Sequence, residues 1–496
     1  AGAAVHQRDA GNAEGDAVSL APSARCAMLA LAAAACAAAV ASGQSLDRTK
    51  RPATPPEPAL RFPAAYSQTL ANGLRVVIVE DHALPLVAVR AYVGIDSLSD
   101  PAGKEGLFAL TAAMLREGTA SMTADQQFAA IAALGNPVTP FRFTTIVQNF
   151  EPSLALMAGM LAHPAFPQDA FARQKAALTA AEHSRFQNPV TAPYRVFYRE
   201  LLGQGDPVTR TFFVSDTSIS SITRDDVQHC YDSYFRPSNT TVVVVGDVQR
   251  AAAMNAVKRA FGGWASPPPE VLLSAQVSIS RAPTTIYLLD RPGAAQSVVF
   301  VGTSGPARES RDFAALEVMA QVFGATGASR LQQNLRERHS YMYSGSPGSV
   351  TWRAMPAPSI LGAPALVAAA KTDSALIEWL GELRGIRERA PTPAEMTLAH
   401  GALRGALAAQ LETDDGIANR LVFLAQNHLP LDYFSGYSTG VGKVKANDVA
   451  AAATKYIDPA HLVIVVAGDR KTIEPALRAA NIAPIVIVDE TGKPIG

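Results

Sequence analysis

The sequence predicts an α/β chain of α+β character, made of two homologous halves that each combine helices with a sheet. Three observations carry this expectation. ITRDDVQHCYDSYFRPSNTTVVVVGD, ending at Asp247, and VKANDVAAAATKYIDPAHLVIVVAGD, ending at Asp469, repeat one another in constant register, with Asp226/Asp448, Val227/Val449, Tyr234/Tyr456, Pro237/Pro459, Gly246/Gly468 and Asp247/Asp469 identical. Both copies read as a helix, a Tyr-x-x-Pro turn and a buried strand ending in Gly-Asp, and each closes its half of the chain. Runs of β-branched residues alternate with helical apolar periodicity, as a sheet packed against helices requires.

At 496 residues the chain is too long for one core. Its 43 basic and 43 acidic residues cancel, which argues against nucleic acid or an anionic membrane surface as a partner. Near the start, Arg25 precedes an Ala-rich apolar run from Cys26 to Ala41, and Ala39-Val40-Ala41 has the small-x-small pattern of a signal cleavage site. The run falls short of the roughly twenty residues a spanning helix needs. Residues 1–43 are therefore expected to be an export signal rather than a core helix or an anchor, and the mature chain to be periplasmic with no stable membrane span. Lipidation at Cys36 is the lesser alternative. Past the signal only Cys230 remains, so the mature chain offers no internal disulfide and no cysteine metal site.

A Pro-rich lead, 44–63, delivers the chain to a first domain at 64–265. Strands are expected at Leu74 to Glu80 and Leu86 to Val93, joined tightly around Asp81 to Pro85. GLFALTAAMLREGT, Gly106 to Thr119, reads as one helix ending at a glycine. Leu107, Leu110, Thr111 and Met114 recur at i, i+3, i+4 and i+7 and form its core stripe. A second stripe, Ala109, Ala112 and Ala113, carries only methyl groups. Helical segments near 123–134, 152–163 and 168–186 precede the strand Thr240 to Val245. SPPPEVLLSAQVSISRAP, 266–283, reads as a linker, and a second domain occupies 284–496.

A hydrolytic zinc needs three protein ligands with lone pairs. The histidines at 82, 163, 183, 229, 339, 400, 428 and 461 include no pair at helical i, i+3 or i+4 spacing, and the adjacent Glu182 and His183 point to different helix faces. Gly436-Tyr437-Ser438-Thr439-Gly440 matches the G-x-S-x-G of a serine hydrolase elbow, yet LPLDYFS before it is no buried strand, so it reads as a coincidental loop. In SRLQQNLRERHSYMYSGS, 329–346, Ser329 can cap a helix carrying Leu331 and Leu335, which gives way to an extended stretch. Arg336 and Tyr343 would then stand at a helix end and on the strand after it. Such a pair suits a peptide carbonyl or an oxyanion. Taken alone, it reads more simply as a surface arginine and a half-buried tyrosine.

These segments together resemble the pitrilysin/insulinase family of zinc peptidases, the inverzincins, in the bacterial branch similar to mitochondrial processing peptidase. TLANGLRVVIVEDHALPLVAVRAYVGIDSLSDPAGKEGL resembles the family's opening hairpin, and FGATGASRLQQNLRERHSYMYS its second-half Gly-rich and Arg/Tyr region. The resemblance implies two homologous domains, each a mostly antiparallel sheet flanked by helices, forming half of a clamshell. Laid on Gly106 to Thr119, the family's H-x-x-E-H puts both histidine positions on Ala109 and Ala113 and the glutamate on Ala112. Its remaining ligand, a glutamate on a later helix before Asn-Pro, falls on Ala180 or Ala181, with Glu182 adjacent. Methyl groups neither bind zinc nor accept a proton from water. The resemblance therefore implies a non-catalytic subunit that binds no metal itself. A homologous H-x-x-E-H-bearing partner would supply the zinc, while Arg336 and Tyr343 help to bind the peptide and stabilise its tetrahedral intermediate. Gly324 and Gly327 would either let backbone approach the substrate or simply form a turn. The rival expectations are a proteolytically silent scaffold and an independent peptide-binding protein.

Overall fold

In the first sheet, β1 (Tyr66–Thr69), β2 (Arg75–Glu80), β3 (Leu86–Val93), β4 (Arg142–Ile146) and β5 (Thr240–Gly246) lie in the order β1-β2-β5-β3-β4. Only β2 and β5 run parallel; the other neighbours are antiparallel. The computed structural model describes residues 60–265, 279, 281–352 and 357–495. The expected export segment, most of the Pro-rich lead and the linker apart from 279 and 281–283 lie outside the described residues.

The second sheet contains β6 (Thr285–Asp290), β7 (Gln296–Ala307), β8 (Met342–Gly345), β9 (Val350–Thr351), β10 (Pro358–Leu361), β11 (Pro364–Ala368), β12 (Val463–Gly468) and β13 (Ile485–Val488). Its order is β13-β6-β12-β7-β10-β9, with β11 on β7 and β8 on β11. Strand β12 runs parallel to β6 and antiparallel to β7, the relation that β5 has to β2 and β3. The repeated Gly-Asp strands are thus the same central strand of two mostly antiparallel sheets. Both are buried along their whole length, which is why each reads as an unbroken apolar run rather than an alternating one.

Helices α1 (Leu107–Met114), α2 (Ala124–Ala133), α3 (Phe150–Ala162), α4 (Gln168–Gln187), α5 (Thr191–Leu202), α6 (Arg224–Tyr234) and α7 (Arg250–Phe261) belong to the first half. The second half contributes α8 (Phe313–Ala320), α9 (Thr372–Glu388), α10 (Pro393–Gln410), α11 (Asp414–Gln426), α12 (Tyr433–Gly442), α13 (Ala446–Tyr456) and α14 (Arg470–Ala480). Each sheet buries one face against helices of its own half. The other faces are covered by exchange. From the first half, α5 lays Val196, Phe197, Leu201 and Leu202 on Val298, Phe300, Val465 and Ala467. From the second, α11 lays Ile417, Ala418, Leu421 and Leu424 on Val77, Val79, Val243 and Val245. The two helices are equivalent, since the register that pairs Asp247 with Asp469 also pairs Thr191 with Thr413, the N-cap of α11. Residues 60–496 accordingly form one compact unit. No helix of the described residues is long and apolar enough to cross a membrane.

Several elements depart from expectation. The α1 helix stops at Met114 instead of reaching Gly118, because its last amides tighten to three-residue bonds (Arg116 to Ala113, Glu117 to Met114) and Glu117 turns in to meet Arg173 and Gln174. Gly436 to Gly440 is not a loop but the middle of α12, held by Phe434, Tyr437 and Val441 on one apolar stripe despite its glycines. No strand leads into Ser438, so it has no nucleophile-elbow setting. Ser329 stands at the start of the helical stretch, its carbonyl accepting from the Gln333 amide at 2.9 Å, but its hydroxyl donates back to the Thr326 carbonyl at 2.6 Å rather than capping an amide.

Candidate functional site

The α1 helix is anchored at its start by Asp100, whose carboxylate accepts from the Gly106 and Phe108 amides at 2.8 and 2.7 Å. Burial outweighs those bonds and pushes its carboxyl up to about 6. Gly106 has φ +105, and a Cβ there would stand 3.2 Å from Leu178 and 3.3 Å from Val214, so the helix begins in a slot that suits glycine. Leu107, Leu110, Thr111 and Met114 are all buried. Thr111 donates to Leu107 O within the helix, and behind the stripe Cys230 is buried with its thiol pushed up to about 11.

Ala109, Ala112 and Ala113 fill the opposite stripe and are half-buried. On α4, which packs against α1, Ala180 and Ala181 are exposed, whereas the Glu182 side chain is only 13% exposed. The inward position of this helix is therefore Glu182 rather than Ala181. Its carboxylate is held 2.9 Å from Arg185, and burial raises its pKa against the pull of that arginine. His183 points away, to Asp216 at the surface. Among the described residues no three His, Cys, Asp or Glu side chains gather as a metal-ligand group. Three methyl groups and one arginine-paired carboxylate do not fit a zinc ion.

In the second half the helical winding is unusual. The chain after α8 widens into π turns at Gln321–Ala325 and again at Gln332–Arg338. Long-range bonds such as His339 N to Asn334 O and Tyr341 N to Leu335 O close the second of these. Its inner side chains lock it in place. Leu331 and Leu335 are fully buried, Arg330 grips both oxygens of Glu395 at 2.6 and 3.1 Å, and the Asn334 amide donates to Glu378 and Glu382 at 3.0 and 2.8 Å. The arginine pulls the Glu395 carboxyl down to about 2. Gln332 donates to Gly345 O at 2.6 Å and ties the turn to β8. Arg336, Glu337 and Arg338 are left on the outside, with the Arg336 side chain 57% exposed.

Tyr343 lies in β8 and is 75% exposed, more than a half-buried tyrosine. Met342 pairs with Val367 and Ser344 with Leu366, so Tyr343 is the extra residue of a β-bulge, a device that re-aims a side chain. Among the described residues β8 pairs only with β11, so its second edge is open. No hydrogen bond or ion pair joins Arg336 to Tyr343 among the described residues; the fold places them on successive elements, both facing outward. The glycines differ in setting. Gly324 is buried, and a Cβ on it would stand 2.4 Å from Gly348 N, so its close approach is to the chain's own turn. Gly327 is exposed with open space around it. A cleft of about 880 Å3 beside the end of α1, lined by Glu117, Met122, Asp125, Asp169 and Arg173 among others, includes neither the alanine stripe nor the Arg/Tyr region.

Residues 221–402, which include Arg336 and Tyr343, match the peptidase M16 inactive domain. The chain is 25% identical over 376 residues to an uncharacterized zinc protease of Mycobacterium leprae, spanning 73% of this chain and 82% of that one. It is 24% identical over 294 residues to the zinc protease PqqE of Helicobacter pylori, spanning 56% and 65%. Among solved structures, a peptidase M16 inactive domain from Pseudomonas fluorescens superposes with a TM-score of 0.72 at 22% identity, covering 82% of this chain and 98% of that one. A protease from Helicobacter pylori superposes with a TM-score of 0.75 at 19% identity, covering 82% and 100%.

Proposed function

We propose that the chain is a non-catalytic member of the pitrilysin-type M16 peptidase family and one subunit of a heterodimeric zinc metallopeptidase, acting in the periplasm. The observation that carries the reading is a contrast between its halves. The helix that would hold the metal offers Ala109, Ala112 and Ala113, while the second half keeps Arg336 and Tyr343 exposed on a rigidly tied turn and a bulged edge strand. Surface positions that serve only folding have no need of such support.

In this reading the halves 64–265 and 284–496 close the substrate chamber against an H-x-x-E-H-bearing homologue. The partner's zinc supplies the activated water. The Arg336 guanidinium donates to the peptide carbonyl and to the negative charge developing on its oxygen, and the Tyr343 hydroxyl donates alongside it. The open edge of β8 offers backbone groups to an extended peptide. Gly327, open to solvent, suits a close backbone approach; Gly324 supports the turn instead.

The test is co-expression with an H-x-x-E-H homologue encoded beside this gene, followed by metal analysis and peptide cleavage assays. The pair should cleave and hold zinc in the partner, with activity falling at least tenfold in Arg336→Ala and Tyr343→Phe. Stoichiometric zinc and cleavage by the purified chain alone would overturn the reading. Unchanged cleavage in both variants would leave a scaffold, and peptide binding without any cleavage in the pair would leave a peptide-binding protein.

A further inference from the structure

A second cluster lies apart from Arg336 and Tyr343, where α11 and α12 meet the end of β7. Arg308 follows β7 and sits 4.6 Å from the ring centroids of Phe313 and Phe423 and 5.6 Å from that of Tyr433. Arg420, on α11, sits 5.2 Å from the same Phe423 ring and 5.9 Å from Phe434. The two guanidinium groups therefore share one aromatic box, and both are half-buried.

What the box lacks is an anion. Both Nε atoms are buried with no hydrogen-bond partner. Arg308 donates one long bond, 3.4 Å, to the Tyr433 hydroxyl, and among the described residues neither guanidinium has a carboxylate within ion-pairing distance. Glu317, whose carboxyl feels the Arg308 charge, is engaged by Trp352 Nε1 and by the Tyr437 hydroxyl, and burial raises its pKa. Burial and the Arg308 charge hold Arg420 below its ordinary basicity. Arg90, by contrast, is answered by Asp415 at 2.6 Å, and Arg330 by both oxygens of Glu395. Two like charges left uncompensated out of bulk water are costly. Their planar donor forks match a carboxylate or a phosphate.

We propose that Arg308 and Arg420 form an oxyanion-binding site, taking a carboxylate or phosphate oxyanion into the aromatic box of Phe423, Tyr433 and Phe434. This site is independent of the peptide-orienting role of Arg336 and Tyr343.

Thermal unfolding of the full chain at constant ionic strength tests it, with three probes: inorganic phosphate, acetyl-Gly-Phe with a free C-terminus, and the same peptide amidated. A saturable rise in Tm of about 2 °C is expected at an oxyanion concentration some tenfold above Kd. The free-acid peptide acting where the amide does not identifies a peptide carboxylate as the source, and phosphate acting alone identifies an inorganic anion. Arg420→Met should abolish the rise and, without oxyanion, melt at or above the wild-type temperature, because it removes like-charge repulsion. If that variant does not fold, Arg420→Lys keeps the charge but not the fork and should weaken oxyanion binding at least fivefold. No rise with either oxyanion, an equal rise with the amide, or full oxyanion affinity in the folded variant overturns the proposal.

Discussion

Replacing Phe197 by alanine should destabilise the whole described unit by about 4–5 kcal/mol. The ring is fully buried and stacks on Phe300 with centroids 3.7 Å apart and planes 8° from parallel. Phe→Ala in a core costs roughly 3–5 kcal/mol, and a stacked pair adds about 0.5–1.5 kcal/mol beyond area. The site has little room to collapse, because the ring lies directly on the sheet backbone: a Cβ on Gly302 would stand 2.7 Å from Phe197 Cζ. The residue belongs to the first half and the sheet it covers to the second, so the loss should reach both. The assay is equilibrium urea unfolding followed by fluorescence, with Trp264 reporting on the first half and Trp379 on the second, since both indoles are buried. Both probes should move to lower urea together. A loss below about 1 kcal/mol, or a shift confined to Trp379, would refute the reasoning from exchanged helices.

Three further outcomes follow from the geometry. Gly324→Ala places a methyl 2.4 Å from Gly348 N and 2.7 Å from its Cα, where only backbone can give way, and should cost about 1–3 kcal/mol in urea unfolding. Asp100, with its folded pKa raised to about 6 above an ordinary 3.8, contributes a stability increment that is full below pH 4 and lost as pH rises through 6. Against Asp100→Asn, whose side chain does not titrate, the wild-type advantage should shrink by on the order of 3 kcal/mol between pH 4 and 7 in denaturant titrations. Arg336→Ala and Tyr343→Phe remove exposed groups, so each should leave the unfolding midpoint of the chain within about 0.5 kcal/mol of wild type. A larger drop would make any loss of cleavage a folding effect.

The repeat was legible because a central strand buried on both faces has to be a continuous β-branched run, and two such runs in one register name two equivalent sheets. The α1 stripe was legible for a similar reason: helical spacing alone separates Leu107, Leu110, Thr111 and Met114 from the alanines. Helix exchange was not, since nothing local to Val196 or Leu421 says which sheet they cover. The π turns were hidden because they depend on distant anchors, Glu395 for Arg330 and Glu378 with Glu382 for Asn334. The sequence put the vacated ligand position at Ala180 or Ala181, and the part-buried carboxylate of this helix is the next residue, Glu182. A helix advances about 100° per residue, so an anchor at Asn188-Pro189 fixes the neighbourhood but not the face. The bulge at Tyr343 needed the pairing of β8 with β11, which no short motif records.

The exchange of α5 and α11 also orders events during synthesis. The valine face of the first sheet, Val77, Val79, Val243 and Val245, is complete once β5 has left the ribosome, yet apart from Leu60, Phe62 and Ala65 its cover arrives with residues 407–437. A nascent first half therefore waits with an uncovered apolar sheet face while most of the second half is translated. Such a surface invites chaperones or a wrong neighbour. The arrangement that makes the finished unit indivisible also gives the growing chain its most vulnerable interval.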